Sequence, residues 1–428
     1  MIEATLRRAR RWVRRSDAAP RTPVFGWAHA DFEALVSLAG RLVDEQGGGA
    51  AICVYHRGRP VADLWAGQRD SDGRPWLADT LAPSFSTTKG VASTVLHVMV
   101  DRGLIDYDAP VCRYWPEFAA KGKQDITVRH VLTHRAGLYH IRRMIDHAER
   151  LLDWEYVIHA LERAEPLHPP GERTGYHGLT FGFLVGELVQ RVTGQPFSQT
   201  LHEVLAQPLG LDGLFIGAPE AAIQRAASLH WPRRAVRSLT HEQISTTRLA
   251  AVLRAGQKVL RLGGLQLDGR SVLDALAPHG IDHIDFSAGP TLSATIPAAN
   301  GLFTARSLAR LYAALAAGGT LDGVRILSPA TFARATERQG RTRRLHVIPF
   351  DMGWRLGYHG VLTTRGILPR AFGHFGLGGS GAWADPDHQL AVALIVNRGI
   401  GSPFGDLRIL RVGATALTCA GSRAEPAA

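Results

Sequence analysis

A serine at position 86 and a lysine at position 89, in the heptapeptide SFSTTKG, stand three residues apart at the head of a long apolar-periodic run. If a helix starts near Ser86, both side chains share one face and the amine reaches the hydroxyl. A serine hydroxyl is a poor nucleophile until a neighbour takes its proton. Lysine can do so only if burial or a nearby cation lowers its pKa towards neutrality. The flanking Phe85, Val91 and Ala92 are apolar, and a helix N-terminus adds a positive dipole that disfavours the ammonium and favours a developing oxyanion. The chemistry on offer is acyl transfer through Ser86 with Lys89 as proton acceptor. On residue types and spacing alone, a helix N-cap serine followed by a surface lysine is the commoner arrangement.

The elements that must position this pair are readable from periodicity. Ala50 to Gly67 alternates apolar and polar residues on both sides of HRGRP, which predicts a hairpin turning at Arg57 to Pro60. From Thr87 the pattern changes to Val91, Val95, Val98 and Met99, a helix with a buried stripe that Gly103 ends. Residues 125 to 210 continue mostly in helical period, and Arg248 to Gly264 and Thr304 to Gly319 read as further helices with glycine stops. GSGAWADPDHQLAVALIVNR predicts a strand, a turn at Pro386 to His388, and a second strand so apolar that it must be central. A last helix, roughly Gly405 to Leu417, would cover that sheet. The chain thus begins in sheet, passes through a helical middle and returns to sheet, which implies one α/β layer assembled from both ends with a helical domain inserted.

At 428 residues, with 45% apolar and 20% charged residues, the chain is an ordinary globular protein too long for one small core. The boundaries expected are a basic tail over 1–22, a sheet domain from 23–83 with 290–428, and a mostly helical domain over 84–289. The formal charge of +11 invites a nucleic-acid reading, but residues 1–22 alone hold seven arginines against two acids, +5 of the total. The rest is spread over the body and needs no polyanion. The tail reads either as a frayed basic extension or as a basic helix resting on anionic lipid through Leu6, Trp12 and Val13. No apolar stretch follows Arg15 that would make an export signal. The longest apolar run, Leu390 to Val396, is far short of the roughly 20 residues that span a bilayer. Cys53, Cys112 and Cys419 have neither metal spacing nor an even framework, which agrees with a reducing compartment and a cytoplasmic protein.

SFSTTKG is followed in order by ITVRHVLTHRAGL, PPGERTGYHGLTFGFLVGELVQRVTG and FGHFGLGGSGAWADP. In order and approximate spacing these four blocks resemble the serine β-lactamase-like superfamily over about Gly47 to Arg398. The nearest likeness is to the family VIII carboxylesterases and the mycobacterial lipase/esterase proteins related to class C β-lactamases. The resemblance implies a β-lactamase/transpeptidase-like fold, α/β plus α, an antiparallel sheet flanked by helices with the helical domain inserted. It makes Ser86 the acyl-accepting nucleophile and Lys89 its partner in proton transfer. Tyr176, in GYHG, matches the tyrosine of the family's Y-x-N block; an ammonium beside the phenol is expected to pull its pKa down so that it shares the base role.

Two departures point away from lactams. Where the β-lactamases and penicillin-binding proteins have K-T-G, this chain has His374, Phe375 and Gly376, which offer little to a carboxylate. The Y-x-N asparagine is replaced by Gly178. Gly376 keeps the strand close to the substrate, so that the N–H groups of Ser86 and Leu377 are expected to form the oxyanion hole. His374 either orients Tyr176 or the substrate carbonyl, or is a hydrogen-bonded strand histidine. The expected activity is hydrolysis of short to medium-chain carboxylic esters, with no cofactor. The alternatives are a β-lactamase or D,D-peptidase and a catalytically silent binding protein. Residues 230 to 289 match none of the four blocks and are expected to cap the acyl pocket.

Other motifs give less. HVLTH puts His130 and His134 at i and i+4 as in zinc sites, but Val131 stands where H-E-x-x-H needs its glutamate, so no metal is assigned. LGGSGA is not a nucleophile elbow, because Ala382 replaces the second glycine and a strand follows, which leaves Ser380 structural. The glycines at 47 to 49 and at 318 and 319 lack the strand-loop-helix context of phosphate loops.

Overall fold

The run Leu390–Val396 is buried at every residue and lies fourth in a sheet of seven strands. The structure, a computed structural model, describes residues 20–230, 269–340, 345–399 and 406–422. Along the chain the sheet comprises β1 (Val24–Ala28), β2 (Gly49–His56), β3 (Arg59–Gly67), β4 (His359–Thr363), β5 (Gly366–Phe375), β6 (Gly381–Asp385) and β7 (Leu390–Val396). In space the order is β1-β3-β2-β7-β6-β5-β4, and every pairing is antiparallel. β2 and β7, from opposite ends of the sequence, are joined in register from Ala50 opposite Val396 to His56 opposite Leu390.

The helices that matter for the site are α1 (Ala34–Gln46), α2 (Thr87–Asp101), α3 (Val128–Leu132), α4 (Thr180–Thr193), α5 (Gly269–Leu276), α6 (Ala305–Ala316) and α7 (Arg408–Ser422). Alternation along β7 divides the core between two faces. Leu390, Val392, Leu394 and Val396 pack with Leu35, Leu38 and Leu42 of α1 and with Ile409 and Val412 of α7. Ala391, Ala393 and Ile395 face the other way, towards Leu308, Leu311 and Leu315 of α6. A fully buried Val or Leu contributes roughly 1.5–3 kcal/mol, and a one-residue slip would turn every side chain to the wrong layer. The register is therefore firmly held.

α2 starts where the apolar period predicts but is more deeply enclosed than an amphipathic helix. It lies between α4 and β5, and every residue from Thr87 to Met99 is buried, not one stripe alone. The hairpin turn is the two residues Arg57 and Gly58, with φ of 52° and 72°, and Arg59 already belongs to β3. That left-handed pair matches the right-handed twist of the flanking strands. α7 begins later than expected, at Arg408, where the Asp406 carboxylate accepts the Arg408 N–H at 3.0 Å. The helical period around residue 130 gives only α3. It ends at Leu132, and His134 has a φ of 58°, so His130 and His134 do not share a helix face. The tail over 1–19, the helix expected over Arg248–Gly264 and residues 231–268 of the expected cap lie outside the described residues.

Candidate active site

Ser86 is the residue just before α2, in helical backbone conformation, and its side chain makes no capping hydrogen bond. Its Oγ is taken up elsewhere, which removes the plain N-cap reading. Lys89 Nζ lies 3.1 Å from Ser86 Oγ, and the Tyr176 hydroxyl lies 2.8 Å from the same oxygen. The preceding Phe85 has φ of 41°, a conformation that costs a side-chain-bearing residue energy and holds the turn into the helix in one shape.

Lys89 is fully buried, and among the described residues its other hydrogen bonds go to two backbone carbonyls, Gly178 at 2.7 Å and Ala298 at 2.9 Å. The loop that brings in Ala298 is pinned by the buried amide of Asn300, which accepts from Ile296 N–H at 3.0 Å and donates to the carbonyls of Thr291 and Ala294. Burial pushes the Lys89 ammonium well below the usual lysine range. An uncharged amine has two N–H donors and one lone pair. In that form the two carbonyls would take the donors and leave the lone pair for the Ser86 hydroxyl proton.

Tyr176 behaves differently from the expectation that a neighbouring ammonium would lower its pKa. Its phenol is raised from its ordinary value, because burial outweighs the hydrogen bond to Ser86, and among the described residues no charged group offsets it. The physical reason is that Lys89, 5.1 Å from the ring centroid, is itself desolvated and disfavoured as a cation. Tyr176 is therefore a neutral hydroxyl donor towards Ser86 Oγ.

The remaining residues singled out from the sequence divide into two groups. Gly376 and Leu377 follow β5, and the loop they open is tied to the Ser86 turn. The Thr87 hydroxyl donates to the Ser380 carbonyl at 3.1 Å, Gly376 N–H donates to the same carbonyl at 2.7 Å, and a β-carbon at Gly376 would press on the Ser84 carbonyl and lie 3.2 Å from Thr87 Oγ1. Among the described residues the N–H groups of Ser86 and Leu377 donate to no acceptor. Ser380 is a strand tie, its Oγ accepting from Val396 N–H at 3.1 Å.

Gly178 and His374 are placed differently from a substrate amide and a substrate cation. A side chain at Gly178 would run into Leu276 and the Ala275 carbonyl of α5, and the residue's polar contribution is its carbonyl on Lys89. His374 is 2% exposed, with Nδ1 at 3.3 Å from the Phe375 carbonyl and its ring 4.8 Å from that of His359. Burial, with His359 and Lys89 nearby, pushes it well below the usual histidine range. His130 caps α3 through Thr127, its Nδ1 accepting from Thr127 N–H at 3.2 Å.

The sequence carried no sign of several neighbours. Phe286 stands 5.2 Å from Phe85, ring centroid to ring centroid, and Trp354 stacks on Tyr176 at 5.9 Å. With Leu276, which stands against Gly178, they set apolar side chains along the segments that carry Ser86 and Tyr176.

A hydroxyl held between an amine whose charged form burial disfavours and a neutral phenol, at a helix N-terminus where among the described residues the N–H groups of Ser86 and Leu377 meet no acceptor, is equipped for acyl transfer. The chain is 40% identical over 380 residues, 88% of its own length and 83% of the relative's, to esterase/β-lactamase LipL of Mycobacterium tuberculosis. Among solved structures it resembles a family VIII carboxylesterase, with a TM-score of 0.79 and 32% identity over 93% of this chain and 100% of that one. A penicillin-binding protein homologue from Caulobacter crescentus superposes with a TM-score of 0.76 and 32% identity, covering 92% of this chain and 100% of that one. The β-lactamase family model matches residues 35–416, and with the fold and these relatives in agreement the chain belongs to the β-lactamase family.

Proposed function

We propose that this protein is a serine carboxylesterase that cleaves short to medium-chain esters through an acyl-enzyme on Ser86. The observation that carries the reading is the 3.1 Å and 2.8 Å approach of Lys89 Nζ and Tyr176 Oη to one serine oxygen in a buried site. Ser86 Oγ attacks the ester carbonyl while its proton passes to Lys89 Nζ. The carbonyl oxygen gathers charge between the N–H groups of Ser86 and Leu377. The C–O bond to the alcohol then breaks, the alkoxide takes a proton from the Tyr176 hydroxyl, and the Lys89 ammonium returns its proton to the phenolate. Water repeats the sequence on the acyl-enzyme, with Lys89 again accepting the proton. No cofactor enters.

The ester reading is supported over a lactam by the apolar side chains of Phe85, Phe286 and Leu276 and by the absence of a cationic side chain at His374. Leu276 and Phe286 belong to residues 230–289, which we propose cap the acyl pocket. The esterase names of LipL and of the family VIII structure agree. The second reading, a β-lactamase or D,D-peptidase, is favoured by the penicillin-binding protein homologue. A p-nitrophenyl ester and a chromogenic lactam assayed side by side decide between them, and lactam turnover equal to ester turnover would overturn the preference.

The arginine-rich residues 1–22 we propose to contact anionic lipid. On β1, a few residues further on, Phe25 and Trp27 are 54% and 48% exposed. Among the described residues no helix is long and apolar enough to cross a membrane.

A further inference from the structure

We infer that His134 is the positioning residue for Tyr176, gripping the chain on both sides of that tyrosine through its own carbonyl and its ring Nδ1. This rests on the part in proton transfer proposed above for Tyr176. The His134 carbonyl accepts the Gly175 N–H at 2.9 Å, and His134 Nδ1 accepts the His177 N–H at 3.1 Å. The tyrosine between them spends its own N–H on the His346 carbonyl at 3.3 Å. Three consecutive amides are thus fixed, two of them by one residue.

The backbone at His134 argues that the side chain is there for a purpose. α3 closes with Arg135 N–H on the His130 carbonyl at 2.7 Å and His134 N–H on the Val131 carbonyl at 3.1 Å. That pair of bonds is the Schellman motif, whose left-handed residue is usually glycine. Here it is a histidine with φ of 58°. Glycine would satisfy the turn with less strain, but it would leave the buried His177 N–H with no acceptor.

The ring adds a second constraint. It is fully buried, with its centroid 4.8 Å from the Tyr176 ring and 4.4 Å, edge to face, from Trp354, which stacks on Tyr176. Because Nδ1 accepts a hydrogen bond, the ring proton sits on Nε2, which has no hydrogen-bond partner among the described residues. Neutrality is required, since a proton on Nδ1 would face the His177 N–H. Burial, with His177, Lys89, His374 and His359 nearby, keeps His134 well below the usual histidine range.

The test compares His134→Phe, which keeps a ring but no acceptor, with His134→Asn, which offers Oδ1 from the same branch point and tolerates the left-handed backbone. Misplacing one reacting group by about an ångström can cost on the order of 100-fold. His134→Phe should therefore lose about ten- to a hundredfold in kcat with KM little changed, and His134→Asn should recover most of it. In a Tyr176→Phe background the His134→Phe change should cost nothing further. A loss that adds in full to that of Tyr176→Phe would overturn the inference.

Isotope-labelled tyrosine gives an arm independent of turnover. The Tyr176 ring resonance, assigned through Tyr176→Phe, should broaden in His134→Phe, as a ring no longer held in one position, and sharpen again in His134→Asn, whatever ring-current shift each substitution brings. A resonance as sharp in His134→Phe as in the wild type would overturn the inference, even if the wild type turned over no ester and the functional reading had failed by itself. Should His134→Phe not fold, His134→Gly deletes the ring while relieving the backbone and repeats both arms.

Discussion

Leu276 stands in the space that a side chain at position 178 would need, with the Ala275 carbonyl beside it. Gly178 is thus the condition for α5 to lie against the segment that carries Tyr176. Restoring the family's amide with Gly178→Asn should not restore lactam binding. It should push α5 away at a cost of about 1–3 kcal/mol, the usual range for overpacking, read as a lower denaturation midpoint. Leu276→Ala should instead widen the acyl pocket, and a panel of p-nitrophenyl esters should show kcat/KM shifted towards longer chains. An unchanged chain-length profile would remove Leu276, and with it this part of the cap, from the pocket.

Ser86→Ala should abolish ester turnover and leave the denaturation midpoint near that of the wild type, because Ser86 is only half-buried and its side chain does not cap α2. Lys89→Met removes the proton acceptor and should cost on the order of 10²–10⁴ in kcat. It also leaves the Gly178 and Ala298 carbonyls without their donor. Incubation with a fluorophosphonate followed by intact-mass and peptide mapping should place one adduct on Ser86. An adduct on another residue, or none, would contradict the role proposed for it.

For the basic tail, the measurement is sedimentation with anionic and with neutral phospholipid vesicles. The truncation should stop at residue 19, because the N–H groups of Arg21 and Thr22 donate to the Asp44 carboxylate at 2.8 Å and 3.0 Å and hold the chain to α1. Full-length protein should sediment with anionic vesicles only, and less so as salt rises. Truncation should remove the binding, and Trp27→Ser should weaken it. Equal sedimentation of the full and shortened chains would end the lipid proposal.

How much of this was legible from residue types depends on how local the causes are. The nearness of Ser86 and Lys89 follows from three residues of helix, and the central place of β7 follows from seven apolar residues in a row, so both were readable. The antiparallel fold needed the likeness of four ordered blocks, because nothing in β2 alone says that its partner lies over three hundred residues away. The Ala298 carbonyl was invisible, since a backbone acceptor has no residue-type signature and arrives from a distant loop. Phe286 and Trp354 were unreadable for the same reason of distance. The stop before His134 is not readable, because a non-glycine residue in a left-handed conformation leaves no mark in an apolar period. Nor does residue type show the direction of the Tyr176 phenol, because the burial that raises it also disfavours the Lys89 cation that would lower it.

The depressed Lys89 ammonium fixes the sign of two pH dependences. The unfolded chain holds that proton up to about the ordinary lysine value of 10.5, whereas the folded chain releases it well below that. Between the two values the unfolded state binds more protons, so stability should rise with pH across that window and level off near 10.5. Lys89→Met should flatten the rise, and denaturant midpoints taken from neutral to alkaline pH would measure it. Activity should follow the same group, with kcat/KM climbing as Lys89 loses its proton. The neutral Tyr176 phenol is raised above its ordinary 10.0 and should impose no falling limb below that pH. His374 is held neutral by burial throughout, so His374→Gln, whatever it does to the rate, should leave the midpoint of the rising limb in place. A limb that moved with His374 would mean that the histidine, not the lysine, carries the titrating proton.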